Sequence, residues 1–481
     1  MRHALVVAAL LCAAGAARSA REWPCFRGDV QATAQAWLGS RVAVVAPWEF
    51  RPSERVWEYQ PDVPVWTSPA IAEVAGRAMV FVGSYDHNIY ALDAATGAEL
   101  WRFATGGTVE GTPAVAQVAG RWLVFVGASD RTCYALDARR GRKVWAREIL
   151  AWRRTIGRAK IASPAVFDLA RGRAVAFSYW VYDKSLAGRV EEGGVKCFAA
   201  QSGRLLWSAV LSTAPPTGIL AAEASGSPRL YLGTRDGNIY CLNAATGAVV
   251  WRHTTRGPVA ATPSYAPLPG RPLIIVGDRY GELWGLAADN GHPAWRLKVG
   301  RWIDSTAAIA RVGARWVAFF GSQDQSLYAV DAQTGTVLWQ FETRGDVYSS
   351  PVVFAERGRQ VVAFASGDDH VYLLDAATGK EIWRVSPGRY LWDYRILGGA
   401  VWASPAALGG VGGWLLVVPF YDGAVHAYDV SGQLARKEQG SMEYALAMLR
   451  NVVLTALGTA IVAALLILFR GPLGHRKPVS G

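Results

Sequence analysis

The chain is poor in the residues that most often announce chemistry. Its five cysteines, Cys12, Cys25, Cys133, Cys197 and Cys241, form no adjacent pair and no CxxC. That excludes a vicinal disulfide, a thioredoxin-type motif and a paired-cysteine zinc site, and no CxxCH segment is present to attach a haem. The seven histidines (His3, His87, His253, His292, His370, His426, His475) show no ligand spacing, so no metal is expected of them. Only eight of the 50 basic residues are lysine, and the basic residues are scattered along the chain. The net charge of +12 therefore reads as general basicity, and no nucleic-acid partner is expected.

Long apolar runs are also scarce, and the two present lie at the ends. "MRHALVVAALLCAAGAARSA" has a basic start, an apolar run from Ala4 to Ala17 and small residues beyond. This pattern predicts a secretory signal peptide over 1–19, too short to span a bilayer comfortably. The other run, Asn451 to Phe469, is 19 uncharged residues between Arg450 and Arg470. As a helix it reaches about 28 Å, close to a ~30 Å hydrocarbon core. A transmembrane helix is predicted within 445–470, after a linker over 433–444. Arg470, Arg476 and Lys477 place the short tail, 471–481, in the cytoplasm by the positive-inside rule. The bulk of the chain is thus expected outside the cytoplasm, on a single membrane pass.

Tryptophan is abundant, at 21 residues, and much of it is periodic. "IYALDAATGAELW" ends at Trp101, and near-copies end at Trp251, Trp339 and Trp383. Trp57, Trp101, Trp145, Trp207, Trp251, Trp295, Trp339 and Trp383 mark eight units, stepped by 44 residues except for one step of 62. Short β-rich runs at this period predict an all-β propeller of four-stranded blades. In the unit ending at Trp101 the strands read "SPAIAEV", "AMVFVGS", "NIYALDA" and "AELWRF", separated by turn chemistry. An indole buried between blades removes ~200 Å² of apolar surface, about 5 kcal/mol. The repeated tryptophans are accordingly read as structural. Cys197 and Cys241 each precede such a tryptophan by ten residues and are read as small core residues, with a disulfide left open.

The last unit, from "ASPAALGG" to "VHAYDVSG", lacks its tryptophan, while "ERVWEYQ" around Trp57 lacks three strands ahead of it. The expectation is an eight-bladed propeller over 49–432 in which the Trp57 strand completes blade eight. Residues 20–48 are set aside as a lead-in segment.

"GSYDHNIYALDAATGAELW" resembles the repeat of the PQQ-like β-propeller family, with its tryptophan-docking motif, and the likeness covers about residues 23 to 432. "WPCFRGD" at Trp23 is similar to the lead-in of bacterial members. The resemblance implies a periplasmic setting and two classes of function. One is a BamB-like, non-enzymatic scaffold that binds a protein or peptide; the other is a quinoprotein dehydrogenase using PQQ with Ca²⁺ to oxidise alcohols or sugars. The adjacent-cysteine pair typical of the second class is missing, so the first is the leading expectation, with no catalytic residue and no cofactor assigned.

Two residue sets are candidates. Loops entering the inner strands place Trp66, Glu110, Asp304, Tyr348 and Trp402 around the axis, a tentative cofactor ring. Asp86, Asp130, Asp236, Asp324, Asp368 and Asp422 recur in the turns between second and third strands, where regular spacing indicates turn capping.

Function also tends to sit where a repeat is interrupted. Three insertions, Ala151–Ala162, Trp180–Gly194 and Ser386–Trp402, are predicted to emerge on one face of the disc. They supply the expected partner-binding residues Arg153, Arg154, Arg158, Trp180, Tyr182, Tyr390, Trp392 and Tyr394.

Overall fold

The computed structural model describes residues 67–149, 156–183, 190–212, 217–356, 358–386, 404–410, 413–419 and 425–430, with the strands at 35–37 and 48–50. The chain divides into two units, Met1–Ser431 and Gly432–Gly481, and every described residue lies in the first. The leading 1–19 segment and the apolar stretch around Asn451–Phe469 fall outside the described residues.

The described strands form eight sheets. Blade one shows the plan: Ala70–Val74, Arg77–Gly83, Asn88–Asp93 and Glu99–Ala104 run antiparallel in sequence order. β-Branched and aromatic residues fill the central strands, which are nearly all buried, whereas the outer strand alternates in exposure. The first strand of each blade adjoins the first strands of both neighbours, all the way round from blade one to blade eight and back. The ring is therefore closed.

Six of the eight interfaces are held in the same way among the described residues. The Trp101 indole N–H donates to the Ala138 carbonyl of the next blade at 3.0 Å, and Trp145, Trp207, Trp251, Trp295 and Trp339 repeat the bond to Ala200, Ala244, Ala288, Ala332 and Ala376. The ring lies flat on a glycine. A Cβ at Gly379 would stand 2.7 Å from Trp339, and Gly379 has φ of +71°, so close approach and a left-handed backbone both require glycine there. Cys133, Cys197 and Cys241 are free thiols buried in these interfaces, and desolvation raises their pKa values.

The sequence does not announce a second ring nearer the axis. Two residues before each first strand there is usually a Ser or Thr, and at four of these positions its hydroxyl accepts from a backbone N–H of the preceding blade. Thr112 N–H donates to Ser163 Oγ at 2.9 Å, Thr306 to Ser350 at 2.8 Å, Ser350 to Ser404 at 2.9 Å and Ser404 to Ser68 at 3.1 Å. The last of these joins blade eight to blade one.

Closure differs from the expectation in two respects. Blade eight has five strands: Gln35–Trp37, Ala406–Gly410, Gly413–Pro419, Val425–Asp429 and Trp48–Phe50. Its outer strand is Trp48–Phe50, and Trp48 pairs with Ala427 as Trp101 pairs with Ala91. Trp48 thus holds the register expected of Trp57, which lies outside the described residues. The link from this strand to blade one is not itself a repeat unit, so the 44-residue rhythm does not govern its length. The segment set aside as a lead-in also supplies Gln35–Trp37, which runs parallel to Ala406–Gly410 on the axial side of the blade. The propeller therefore begins before residue 49.

Candidate functional site

In blades one, two, four, five and six the turn between strands two and three and the exit loop to the next blade sit on one face. The backbone joins them: Thr105 N–H donates to His87 O at 2.8 Å, and Val109 N–H to Ser84 O at 3.1 Å. Equivalent bonds run from Thr255 to Gly237, Val299 to Gly281 and Thr343 to Gln325.

The turn aspartates have a structural task. Asp130 caps Thr132 N–H at 2.9 Å, accepts from the Tyr134 hydroxyl at 2.5 Å and accepts from Gly106 N–H of the preceding exit loop at 2.7 Å. Asp324 takes Tyr328 and Gly300, and Asp368 takes Tyr372 and Arg344 N–H. Asp86 caps Asn88 and accepts from Tyr90, and Asp236 accepts from Thr234. Asp130, Asp324 and Asp368 thus staple neighbouring blades, while Asp86 and Asp236 hold their own turns. Desolvation, with the Asp130 hydrogen bond, raises the Tyr134 pKa to about 12. Asp422 lies outside the described residues.

Glu110, Asp304 and Tyr348 of the axial candidates are described; Trp66 and Trp402 are not. Glu110 pairs with Lys160 at 2.6 Å and accepts from Thr108 at 3.2 Å. Burial, together with the Glu110 charge, pushes the neighbouring Tyr85 phenol well above its usual range. Asp304 is gripped by both arms of Arg279, at 2.9 and 2.8 Å, and Gln323 reaches it at 3.4 Å. Tyr348 donates to Asp346 at 3.1 Å; desolvation and the Asp346 charge raise its pKa to about 12. Each ring carboxylate thus has a protein cation as its partner. Lys160 and Arg279 occupy the coordination that a Ca²⁺ ion would need and would repel it. The described ring residues do not fit a calcium–quinone site. No cluster of three or more His, Cys, Asp or Glu suited to a metal occurs among the described residues.

Two of the three insertions become one object. Ile156–Ile161 pairs with the far half of Gly172–Asp183, whose near half pairs with Ala165–Leu169. Val190–Ala199 follows on the other side. Counting register from Ala176↔Cys197 against Phe81↔Ala91, Ser178 is the counterpart of Gly83, where an ordinary second strand stops. Tyr179–Asp183 therefore continues past that point by roughly 16 Å. Buried Tyr179 anchors the extension, donating to Glu192 Oε1 at 2.5 Å, while Lys196 donates to the Ile149 carbonyl. Lys160, through Glu110, ties the extension to blade two.

Of the partner-binding candidates, Trp180 is half-buried on this extended strand opposite Lys160. Tyr182 lies on the same strand opposite Val190, and Arg158 lies on Ile156–Ile161. Arg153, Arg154, Tyr390, Trp392 and Tyr394 fall outside the described residues, as does the third insertion.

A family model described as outer membrane protein assembly factor BamB matches residues 39–178, 191–340 and 323–466. No curated protein sequence matches the chain. Among solved structures, a europium-containing methanol dehydrogenase is 15% identical at a TM-score of 0.61, covering 83% of this chain and 89% of its own. A quinohemoprotein alcohol dehydrogenase, ADHIIG from Pseudomonas putida HK5, is 13% identical at 0.61, covering 87% and 81%. BamB from Moraxella catarrhalis is 16% identical at 0.50, covering 79% and 98%. These likenesses are likenesses of fold and include both enzymes and an assembly factor. With the family model spanning most of its length, the chain belongs to the PQQ-like β-propeller family of BamB.

Proposed function

We propose that the protein is a non-enzymatic binding scaffold whose loop-bearing face captures a protein or peptide partner. The reading includes a periplasmic propeller, a C-terminal membrane anchor and a cytoplasmic tail. One observation carries it: two separate insertions pair into a single extended sheet that stands above an otherwise regular face. A repeat that lengthens in two places to build one projection is consistent with a surface for recognition. The family model points the same way, since BamB is an assembly factor. The axial carboxylates, already neutralised by Lys160 and Arg279, are read as structural.

Alanine at Arg158, Trp180 and Tyr182, and separately at Tyr390, Trp392 and Tyr394, should abolish capture of the partner from its own membrane. The thermal transition should barely move. Unchanged capture would count against the reading. PQQ-type absorbance and dye reduction with simple alcohols, after reconstitution with PQQ and Ca²⁺, would replace it with the dehydrogenase.

A further inference from the structure

Blade five keeps the 44-residue length of its neighbours but rearranges its turn. Elsewhere the carboxylate sits at the tip, as in Asp86, Asp130, Asp324 and Asp368, and accepts from a tyrosine four residues on. In blade five the carboxylate moves to the root. Asp278 caps Tyr280 N–H and Glu282 N–H, both at 2.9 Å, and accepts from Trp284 Nε1 at 3.2 Å. Trp284 stands where the tyrosine would be. The carboxylate and its ring partner have changed together, so the turn is as well held as before while its tip is released from capping.

The released tip is Tyr280, 49% exposed. Beside it, in the exit loop of the same blade, Trp302 is 46% exposed. Both rings carry cations: Lys298 lies 4.6 Å and Arg256 5.8 Å from the Tyr280 ring, and Arg279 lies 5.0 Å from that of Trp302. Arg279 is neutralised by Asp304, but exposed Arg256, Lys298 and Arg301 form no ion pair among the described residues. Carboxylates around the patch have other partners: Glu282, opposite Lys298 on the adjoining strand, pairs with Arg296 at 3.4 Å, Asp324 takes Gly300 N–H and Asp346 takes Tyr348. Two exposed aromatic faces flanked by three uncompensated cations offer apolar contact and positive potential together.

We infer that this blade-five patch docks an acidic segment of a protein partner, with aromatic or apolar side chains set between its carboxylates. The segment's rings lie against Tyr280 and Trp302, and its carboxylates meet Arg256, Lys298 and Arg301. The inference rests on the scaffold reading and gives its partner a chemistry.

The test uses the full-length chain in mild detergent and a fluorescent peptide of alternating Glu and Trp, with a twin carrying Lys for each Glu. The Glu peptide should bind at least about tenfold more tightly than its twin, and its affinity should fall as salt exceeds ~0.1 M. Tyr280→Ala, Trp302→Ala and the double change Lys298→Glu with Arg301→Glu should each weaken it about tenfold, near the hot-spot range. Tyr280→Phe and Trp302→Phe should retain it, which separates loss of the ring from loss of fold. Equal binding of the two peptides, or Glu-peptide binding indifferent to these changes, overturns the inference. Membrane capture that survives the blade-five changes but fails with the insertion variants would sink it while sparing the scaffold reading.

Discussion

Blades five and six are neighbours of equal length, yet they hold the same turn by different means. Blade six uses the common solution, with Asp324 at the tip bonded to Tyr328 and to the preceding loop. Blade five uses Asp278 at the root bonded to Trp284, and turns its tip to solvent. Equal scaffolding with unequal surface indicates that capping is a requirement of the blade, whereas the identity of the tip is free to serve something else.

The largest expected break lies at the interface on which blade five sits. Trp251 is 8% exposed, while Trp295, leading from blade five to six, is half-buried. Trp251→Ala should cost about 4–5 kcal/mol and Trp295→Ala nearer 3, seen as unequal falls in denaturant midpoint. Equal losses would mean that ring burial does not rank the interfaces. Next come the two caps. Asp278→Ala leaves two backbone donors and one indole without an acceptor and should cost about 2–3 kcal/mol; Asp324→Ala should cost about 2. Tyr280→Asp, which restores a tip carboxylate, should leave stability within about 0.5 kcal/mol while abolishing peptide binding.

A pH effect sharpens the comparison further. His253, on the outer strand of blade four, packs edge-on against Trp284 at 4.9 Å, and burial lowers its pKa below 6.5. The unfolded chain then binds the proton more readily. Its contribution is fully present above pH 6.5 and is lost as pH falls from there through the lowered folded value. His253→Phe should flatten stability across that window, and an unchanged slope would show that other groups set it. The smallest effect belongs to Arg344→Ala: only its backbone N–H reaches Asp368, so the change should stay within about 0.5 kcal/mol by thermal midpoint.

Periodic tryptophans were enough to read the blade count and the strand order, because interface geometry repeats with the chain; the glycine beneath each indole emerged only when the next blade was in place. They misled at the seam. The pair "WEF" at Trp48 and "WRF" at Trp101 was present in the sequence, and it was a better guide to the closing strand than the interval to Trp57. The Ser/Thr two residues ahead of seven inner strands was equally visible, at Ser68, Thr112, Ser163, Thr262, Thr306, Ser350 and Ser404, but an isolated hydroxyl has no meaning until a neighbouring blade brings its N–H.

By itself the sequence determined the repeated blade, because each unit carries both an indole to present and a glycine to receive its neighbour's, so the interface recurs with the repeat. Only the tertiary structure decided which N-terminal strand closes the ring, which cations neutralise Glu110 and Asp304, and which exposed rings gather on blade five. Each of those depends on residues far apart in the chain meeting across an interface, a relation that no local pattern encodes.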